Sequence, residues 1–225
     1  MIDYRRFAIF AVPTGPLYDA GAAWLGWDSM GGTALPHPEI GLDAARLTER
    51  PRRYGFHGTV HAPFRLPADQ TQQALQAAIA THSARMTPIT IPDLALRSFG
   101  GFAAILPAAP CEALTTLAAD TIRALDPFRA PLTPAEVARR NHPHLSPRQQ
   151  ELLMRWGYPH VLDEFRFHMT LTGRIGPDPD RTIAILADHF AITLPRPFTI
   201  PDLALMGEDD AGLFHLIARY PLGGT

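Results

Sequence analysis

The sequence predicts a duplicated fold of two lobes, in which strands alternate with helices. A His-x-Thr unit, set within alternating apolar and polar residues, occurs twice, with its histidines at His57 and His168. The heptapeptide Thr-Ile-Pro-Asp-Leu-Ala-Leu occurs at 90–96 and again, letter for letter, at 199–205. The two offsets, 111 and 109 residues, nearly agree. The similarity therefore indicates a repeated architecture rather than chance.

Each repeat begins with a strand, a proline-containing turn and a helix. The predicted pairs of strand and helix are 6–12 with 16–25, and 101–107 with 111–125. The second repeat is therefore expected to begin near Gly100, and the repeats span about 6–99 and 100–225. A further helix, at 69–85 in the first repeat and 180–191 in the second, separates each His-x-Thr strand from its heptapeptide strand. The chain as a whole is predicted to be one bilobal domain.

Residues 126–164 have no counterpart in the first repeat and are predicted to be a helical insertion. Thr133 and Ser146 each begin a capping-box pattern with proline at the next position, so two helices are expected. Because the insertion directly precedes the second His-x-Thr strand, it either covers a cleft or packs against the fold. Its possible ligand contacts are Arg129, Arg139, Arg140 and Trp156. No structure is predicted for 26–50, which is rich in Gly and Pro.

Composition excludes several classes of protein. The net charge of −2 and the pI near 6.5 provide no basic field for long nucleic acid, whereas a small phosphorylated ligand remains compatible. The single cysteine, Cys111, cannot form an intramolecular disulfide or a thiolate zinc cluster. No signal peptide or apolar run of transmembrane length is recognised. We therefore expect a soluble cytoplasmic protein without a membrane partner.

The second His-x-Thr unit lies in a predicted half-buried strand at 165–174, where apolar and polar residues alternate with period two. Its polar face carries His168 and Thr170, together with Arg166 and Arg174. In the first unit, alternation places Arg53, His57, Thr59 and His61 on one face, and Tyr54 lies beside them in sequence. The predicted substrate-binding residues are Arg53, Tyr54, Arg166 and Arg174.

Two histidines that face each other are suited to acid–base chemistry on a phosphodiester. One imidazole can take a proton from the nucleophile while the other gives a proton to the leaving oxygen. Two residues further along each strand, roughly 6.5–7 Å away, a threonine hydroxyl can hold a phosphate oxygen. Duplication about a pseudo-twofold axis would place His57 and His168 on opposite sides of one phosphorus. Such chemistry needs neither a metal nor a cofactor.

The paired segments His-Gly-Thr-Val (57–60) and His-Met-Thr-Leu (168–171) resemble the motifs of the two-histidine (2H) phosphoesterase superfamily, which includes RNA ligase-like cyclic phosphodiesterases. Further segments resemble a branch of that superfamily found with phosphonate-utilisation genes: 53–57, 100–102, 126–132, 155–158 and 165–173. The resemblance covers nearly the entire chain. It implies a bilobal α+β fold with two antiparallel sheets around a central cleft and helices outside. It also implies His57, Thr59, His168 and Thr170 as the catalytic set. One departure is Gly58, where other members usually carry Ala.

The resemblance implies a metal-independent cyclic phosphodiesterase acting on a small cyclic phosphodiester or a phosphorylated nucleotide or sugar. A ribosyl cyclic phosphate is the first candidate, and an RNA-type 2′,3′-cyclic phosphate is the second. A binding module without catalysis would use the same residues. A metal hydrolase would use His57 and His61 with His168, but His57 and His61, on one face of a strand, would lie about 13 Å apart, which is too far for one zinc. The remaining histidines, His160 among them, show no partner pattern and are interpreted as background.

Overall fold

The structure, a computed structural model, describes residues 3–223, and within them lie seven α-helices and eleven β-strands. The strands are β1 (Arg6–Ala11), β2 (Trp27–Asp28), β3 (Thr33–Ala34), β4 (Gly58–Phe64), β5 (Ile89–Ile91), β6 (Leu94–Phe99), β7 (Phe102–Pro107), β8 (Met169–Thr170), β9 (Phe198–Ile200), β10 (Asp202–Glu208) and β11 (Phe214–Pro221). The helices are α1 (Pro16–Leu25), α2 (Ala44–Thr48), α3 (Gln72–Ser83), α4 (Glu112–Leu125), α5 (Pro134–Arg140), α6 (Pro147–Trp156) and α7 (Pro179–Phe190). Seven strands form one antiparallel sheet in the order β11-β10-β1-β4-β8-β7-β6, and the pairs β2-β3 and β5-β9 form two small sheets. The predicted α+β class is confirmed.

The large sheet consists of two halves that meet at its centre. One half is β11-β10-β1-β4 and the other is β8-β7-β6; within residues 3–223 the backbone pairing that joins them is Gly58 with Met169. These two residues are equivalent in the repeats, since each directly follows a motif histidine. Thr90 and Thr199, which each begin the repeated heptapeptide, pair in the β5-β9 sheet. A pseudo-twofold axis therefore passes through both pairs, as duplication requires.

Each half-sheet contains a strand from the other repeat. Strand β6 belongs to the first repeat, yet it pairs along its whole length with β7 of the second repeat. Strand β10 belongs to the second repeat and pairs with β1 of the first. The two repeats thus exchange their heptapeptide strands, β6 and β10, and β11 follows β10 into the same half-sheet. The halves of the sheet in space are therefore not the halves of the sequence.

The helices begin and end close to their predicted positions, and the helical insertion forms α5 and α6. Thr133 and Ser146 cap these helices: their side chains accept hydrogen bonds from the backbone N–H of Glu136 (3.2 Å) and Gln149 (3.1 Å). The Glu136 and Gln149 side chains in turn accept from the cap backbone N–H groups, at 2.8 and 3.1 Å. Both predicted capping boxes are confirmed.

Three expectations about local structure are wrong. The predicted ten-residue strand at 165–174 is reduced to Met169–Thr170, because the regular pairing of β8 with β4 and β7 ends there. For example, the N–H groups of both Leu171 and Thr172 donate to a single acceptor, the Ala103 carbonyl. Residues 51–54 form a 3-10 helix instead of the start of the first motif strand. The segment 26–50, for which no structure was predicted, contains β2, β3 and α2.

The main core lies against the sheet face that carries Phe7 and Ile9 of β1. Both are buried, as is Met169 of β8, and they belong to one hydrophobic cluster with residues of α1, α3, α4 and α7. The opposite face of the sheet carries the motif histidines. Within residues 3–223, none of the helices has the length and apolar character that crossing a membrane requires.

Candidate active site

The four residues of the two His-x-Thr motifs lie together at the junction of the half-sheets. Since Gly58 pairs with Met169, the register places His57 beside Thr170 and Thr59 beside His168. Neighbouring Cβ atoms at such positions lie roughly 4.5–5.5 Å apart. All four side chains project from one face, because the intervening Gly58 and Met169 point to the other. We call these four residues, His57, Thr59, His168 and Thr170, the motif quartet.

Both motif histidines are oriented by a backbone carbonyl two residues earlier. Nδ1 of His57 lies 2.9 Å from the Gly55 oxygen, and Nδ1 of His168 lies 2.7 Å from the Arg166 oxygen. A carbonyl only accepts, so Nδ1 carries the hydrogen in each ring and Nε2 is the nitrogen that titrates. Gly55 can direct its carbonyl in this way because its φ of 72° is readily adopted by glycine. Nε2 of His57 accepts from the Thr59 hydroxyl at 3.0 Å.

The surroundings of His57 keep it neutral. Its ring stacks on Phe10 with centroids 3.6 Å apart and an interplanar angle of 20°. Burial lowers the pKa of His57 to about 4; the Gly55 carbonyl opposes this shift, and His168 adds to it. Nε2 of His57 is therefore an unprotonated acceptor at neutral pH.

The surroundings of His168 differ at the equivalent position. Phe10 faces Thr59 in the register, whereas the residue that faces Thr170 is Ala104. His168 instead lies against Phe99 and Phe102, with ring centroids 4.9 and 5.6 Å away. Burial lowers its pKa, the Arg166 carbonyl opposes the shift, and His160 adds to it. The duplicated motifs thus sit in unequal environments.

The insertion contributes one wall of this site through Tyr158 and His160, whose rings lie 5.7 Å apart. The charge of His160 acts on the pKa of His168, and Tyr54 acts on the pKa of Tyr158. The Tyr54 ring lies 6.2 Å from that of His57. His160 therefore lies close enough to His168 for the two charges to interact, and its interpretation as background stays a prediction. Its one sequence signal was its place at the end of the insertion, directly before the second motif.

The four predicted substrate-binding residues are not grouped on one strand face. Arg53 is exposed on the 3-10 helix, and Arg174 is exposed in the turn after β8. The Arg166 guanidinium donates to the carbonyls of the nearby residues 163 (3.0 Å) and 165 (2.7 Å). Tyr54 is the member of this set that lies beside a motif histidine. The alternation that placed the three arginines on a strand face does not apply, because Arg53, Arg166 and Arg174 lie outside the strands.

His61 points away from the motif quartet. In the pairing of β1 with β4, Thr59 faces Phe10 but His61 faces Ile9, so a β-bulge between them reverses the face. His61 is 4% exposed, donates from Nδ1 to the Ala62 oxygen (2.8 Å), and burial lowers its pKa to about 4. The metal-hydrolase alternative, which required His57 and His61 on one face, is therefore wrong. Residues 3–223 contain no group of three or more His, Cys, Asp or Glu placed to hold a metal.

The departure at Gly58 has a steric cause. A Cβ atom at this position would collide with the outer ring atoms of Phe167, which is 6% exposed and belongs to the main core. Phe167 directly precedes His168 in the chain. The aromatic residue of the second motif therefore requires the glycine of the first.

Comparisons with known proteins give a family and several relatives. A family described as "Protein of unknown function (DUF1045)" matches residues 59–215. A protein of Janthinobacterium sp. (strain Marseille) named ribose 1,5-bisphosphate phosphokinase PhnN is 33% identical over 97% of this chain and 51% of its own length. A protein of the same name from Laribacter hongkongensis (strain HLHK9) is 33% identical over 95% of this chain and 51% of its own. This chain thus spans about half the length of the curated relatives it matches.

The chain is also similar to solved crystal structures. One is E. coli LigT complexed with NADP+, at 13% identity over 98% of this chain and 99% of that chain, with a TM-score of 0.49. Another is TT0787 of Thermus thermophilus, at 12% identity over 97% of this chain and 98% of that chain, also with a TM-score of 0.49.

Proposed function

This chain belongs to the DUF1045 family, and we propose from the geometry of its site that it hydrolyses a small cyclic phosphodiester by acid–base catalysis with two histidines. The observation that carries the proposal is the motif quartet, in which one histidine and one threonine from each repeat share a face around the pseudo-twofold axis. A phosphorus bound between the histidines has a proton acceptor on one side and a donor on the other. The threonine hydroxyls are then placed to hold its non-bridging oxygens.

His57 is proposed as the general base and His168 as the general acid. With a pKa of about 4, His57 is neutral near pH 7, and its Nε2 can take a proton from water. The water oxygen bonds to phosphorus, the P–O bond of the ring breaks, and Nε2 of protonated His168 gives its proton to the leaving oxygen. An anionic phosphodiester beside His168 favours the protonated imidazole in the complex. The product is a phosphomonoester with a free hydroxyl.

The proposed substrate is a cyclic phosphate of a phosphorylated sugar or nucleotide. The name of the curated relatives refers to ribose 1,5-bisphosphate, a phosphorylated ribose. A ribosyl cyclic phosphate agrees with that name and with the resemblance to the branch found with phosphonate-utilisation genes. An RNA-type 2′,3′-cyclic phosphate is the competing substrate, since it presents the same ring to the motif quartet.

The kinase activity in the relatives' name is not proposed for this chain. A nucleotide-binding loop of the Walker type needs a lysine that reaches the phosphates. The 20 basic residues counted as Lys or Arg are all arginine, so the 225 residues contain no such lysine. The relatives are about twice as long, and this chain corresponds to one part of them.

The test is a screen of cyclic phosphodiesters by phosphorus NMR in buffer with EDTA. We expect conversion of a cyclic phosphate to a monoester by the wild type, and its loss in His57→Ala and in His168→Ala. His142→Ala, at an exposed position on the insertion, is the matched control and should keep full activity. Binding without turnover of any cyclic phosphate would identify a binding module. Activity that EDTA abolishes and zinc or manganese restores would contradict the two-histidine mechanism.

A further inference from the structure

Arg140, the last residue of α5, is a half-buried cation bound to carbonyls. Its guanidinium donates to the Gly157 oxygen and, at 3.3 Å, to the Pro63 oxygen. Among residues 3–223 it forms no ion pair with a carboxylate. Other arginines of the insertion do: Arg129 lies 2.8 Å from Asp126, and Arg148 lies 2.8 Å from Asp163. The charge of Arg140 is thus not neutralised by a protein carboxylate.

The Glu136 carboxylate acts on the pKa of Arg140 but forms its ion pair with another arginine. Glu136, four residues earlier, is taken by Arg65, which contacts it at 2.9 and 3.2 Å. Burial is the main reason that the pKa of Arg140 lies below its usual value, and the Arg6 guanidinium acts in the same direction. Arg6 itself is paired with Glu208 through two hydrogen bonds, which fix its position. Burying a cation without a counter-charge is costly, so this arrangement favours an anionic ligand.

This cation cluster adjoins the motif quartet. Arg6 shares a face of β1 with Phe10, because alternate residues of a strand project to the same side, and Phe10 stacks on His57. Tyr54 acts on the pKa of Arg6, and the Tyr54 ring lies 6.2 Å from that of His57. Arg6 and the motif quartet therefore lie on the same side of the sheet.

Tyr158 completes the cluster from the insertion. It directly follows Gly157, whose carbonyl accepts from Arg140, and it lines one cavity together with Gly157 and Arg140. Burial raises the pKa of Tyr158, so its hydroxyl keeps its proton at neutral pH and can donate to an anion.

We propose that Arg140, with Arg6 and the Tyr158 hydroxyl, binds a second anionic group of the substrate, a phosphomonoester, while the motif quartet holds the cyclic diester. This inference rests on the proposed function and narrows its substrate class to small molecules with two phosphates. The insertion supplies two of the three groups, so it acts as a specificity element.

The test compares kcat/KM for adenosine 2′,3′-cyclic phosphate with and without a 5′-phosphate. A hydrogen-bonded charge pair of this kind contributes about 10- to 100-fold, so the wild type is expected to prefer the 5′-phosphorylated substrate by at least about 10-fold. In Arg140→Gln the ratio of the two kcat/KM values should fall to near one, and in Arg140→Lys it should be intermediate. Arg181→Gln, at an exposed position of α7, is the matched control and should keep the wild-type ratio.

The ratio separates recognition from a structural effect. If Arg140 merely clamps the insertion to β4, its replacement lowers kcat/KM for both substrates equally and the ratio is kept, which would overturn the inference. Equal use of the two substrates by the wild type would also overturn it while leaving the proposed hydrolase intact.

If neither substrate is hydrolysed, the RNA-type substrate is excluded, and the anion site is decided by calorimetry. Adenosine 2′,5′-bisphosphate should then bind more tightly than adenosine 2′-phosphate, and the difference should vanish in Arg140→Gln. Equal affinities of the wild type for the two would refute the site.

Discussion

Replacing Gly58 by alanine tests the contact between the two motifs. The added Cβ would overlap ring atoms Cζ, Cε1 and Cε2 of Phe167, which cannot move freely because the ring is packed in the main core. Overpacking of this kind costs about 1–3 kcal/mol. For a chain of 225 residues, 1 kcal/mol corresponds to about 2–4 °C in Tm, so Gly58→Ala should lower Tm by about 2–12 °C.

A double-mutant cycle with Phe167→Leu isolates the collision. Leucine lacks the three ring atoms that the new Cβ would meet, so Gly58→Ala should cost little in its presence. The coupling free energy should then nearly cancel the penalty, with a magnitude of about 1–3 kcal/mol from urea unfolding of the four proteins. Gly176→Ala is the matched control, because its Cβ would meet the Arg46 side chain at 4.0 Å.

The activity of the same proteins provides a second measurement. Phe167 precedes His168, so displacement of its ring should shift the proposed general acid and lower kcat in Gly58→Ala. The double variant should recover part of that loss. Additive free energies of unfolding within about 0.5 kcal/mol would show that the ring and the glycine are not in steric conflict, and the explanation for Gly58 would be refuted.

Three further predictions concern the histidines and threonines. In steady-state kinetics His57→Ala and His168→Ala should each lower turnover of a cyclic phosphodiester by about 10²-fold or more, whereas Thr59→Val and Thr170→Val should cost less, since each removes one hydroxyl contact; losses as large as those of the histidine variants would contradict these roles. The pH profile of kcat/KM should be bell-shaped, with its acid limb near pH 4, set by His57. Its alkaline limb should lie below the ordinary histidine pKa, since burial also lowers the pKa of His168. An alkaline limb above pH 7 would contradict the assignment of His168 as the general acid. Because the folded pKa of His61 is about 4 and its unfolded value is about 6.5, the unfolded state binds the extra proton, so stability is full above pH 6.5 and falls by about 3 kcal/mol towards pH 4. In His61→Leu the slope of unfolding free energy against pH in that window should decrease by about 1.4 kcal/mol per pH unit, and an unchanged slope would exclude His61 as the proton-linked group.

The alternation in 165–174 predicted burial correctly and strand length wrongly. Phe165, Phe167, Met169 and Leu171 are all buried, as the period-two pattern requires. A strand also needs backbone hydrogen bonds to neighbouring strands, and just two residues of this segment, Met169 and Thr170, form part of the sheet. Alternation reports which side chains face the core, whereas ladder length depends on tertiary packing.

Other features of the site depend on relations between distant segments. A single extra residue in β4 turns His61 to the core face, and no residue type in the motif signals such a bulge. The positions of His160 and of Arg140, which is proposed to bind the substrate, depend on the packing of the insertion, which no local periodicity encodes. The exchange of β6 and β10 is likewise hidden, because both strands contain the same Leu-Ala-Leu segment, which does not distinguish the two possible pairings. The motif quartet could be predicted because each histidine and threonine are neighbours along one segment.

The exchange of heptapeptide strands bears on what one repeat would be by itself. A lone repeat lacks the strand that completes its half-sheet, but two copies would complete each other about a true twofold axis at the Gly58–Met169 pair. Because the two copies would be identical, the two histidines would have identical environments and therefore equal intrinsic proton affinities. Covalent fusion lifts that constraint, since Phe10 can then occupy one side while Ala104 occupies the other. Tandem linkage thereby permits the proposed division of roles, in which one imidazole accepts a proton and the other donates one.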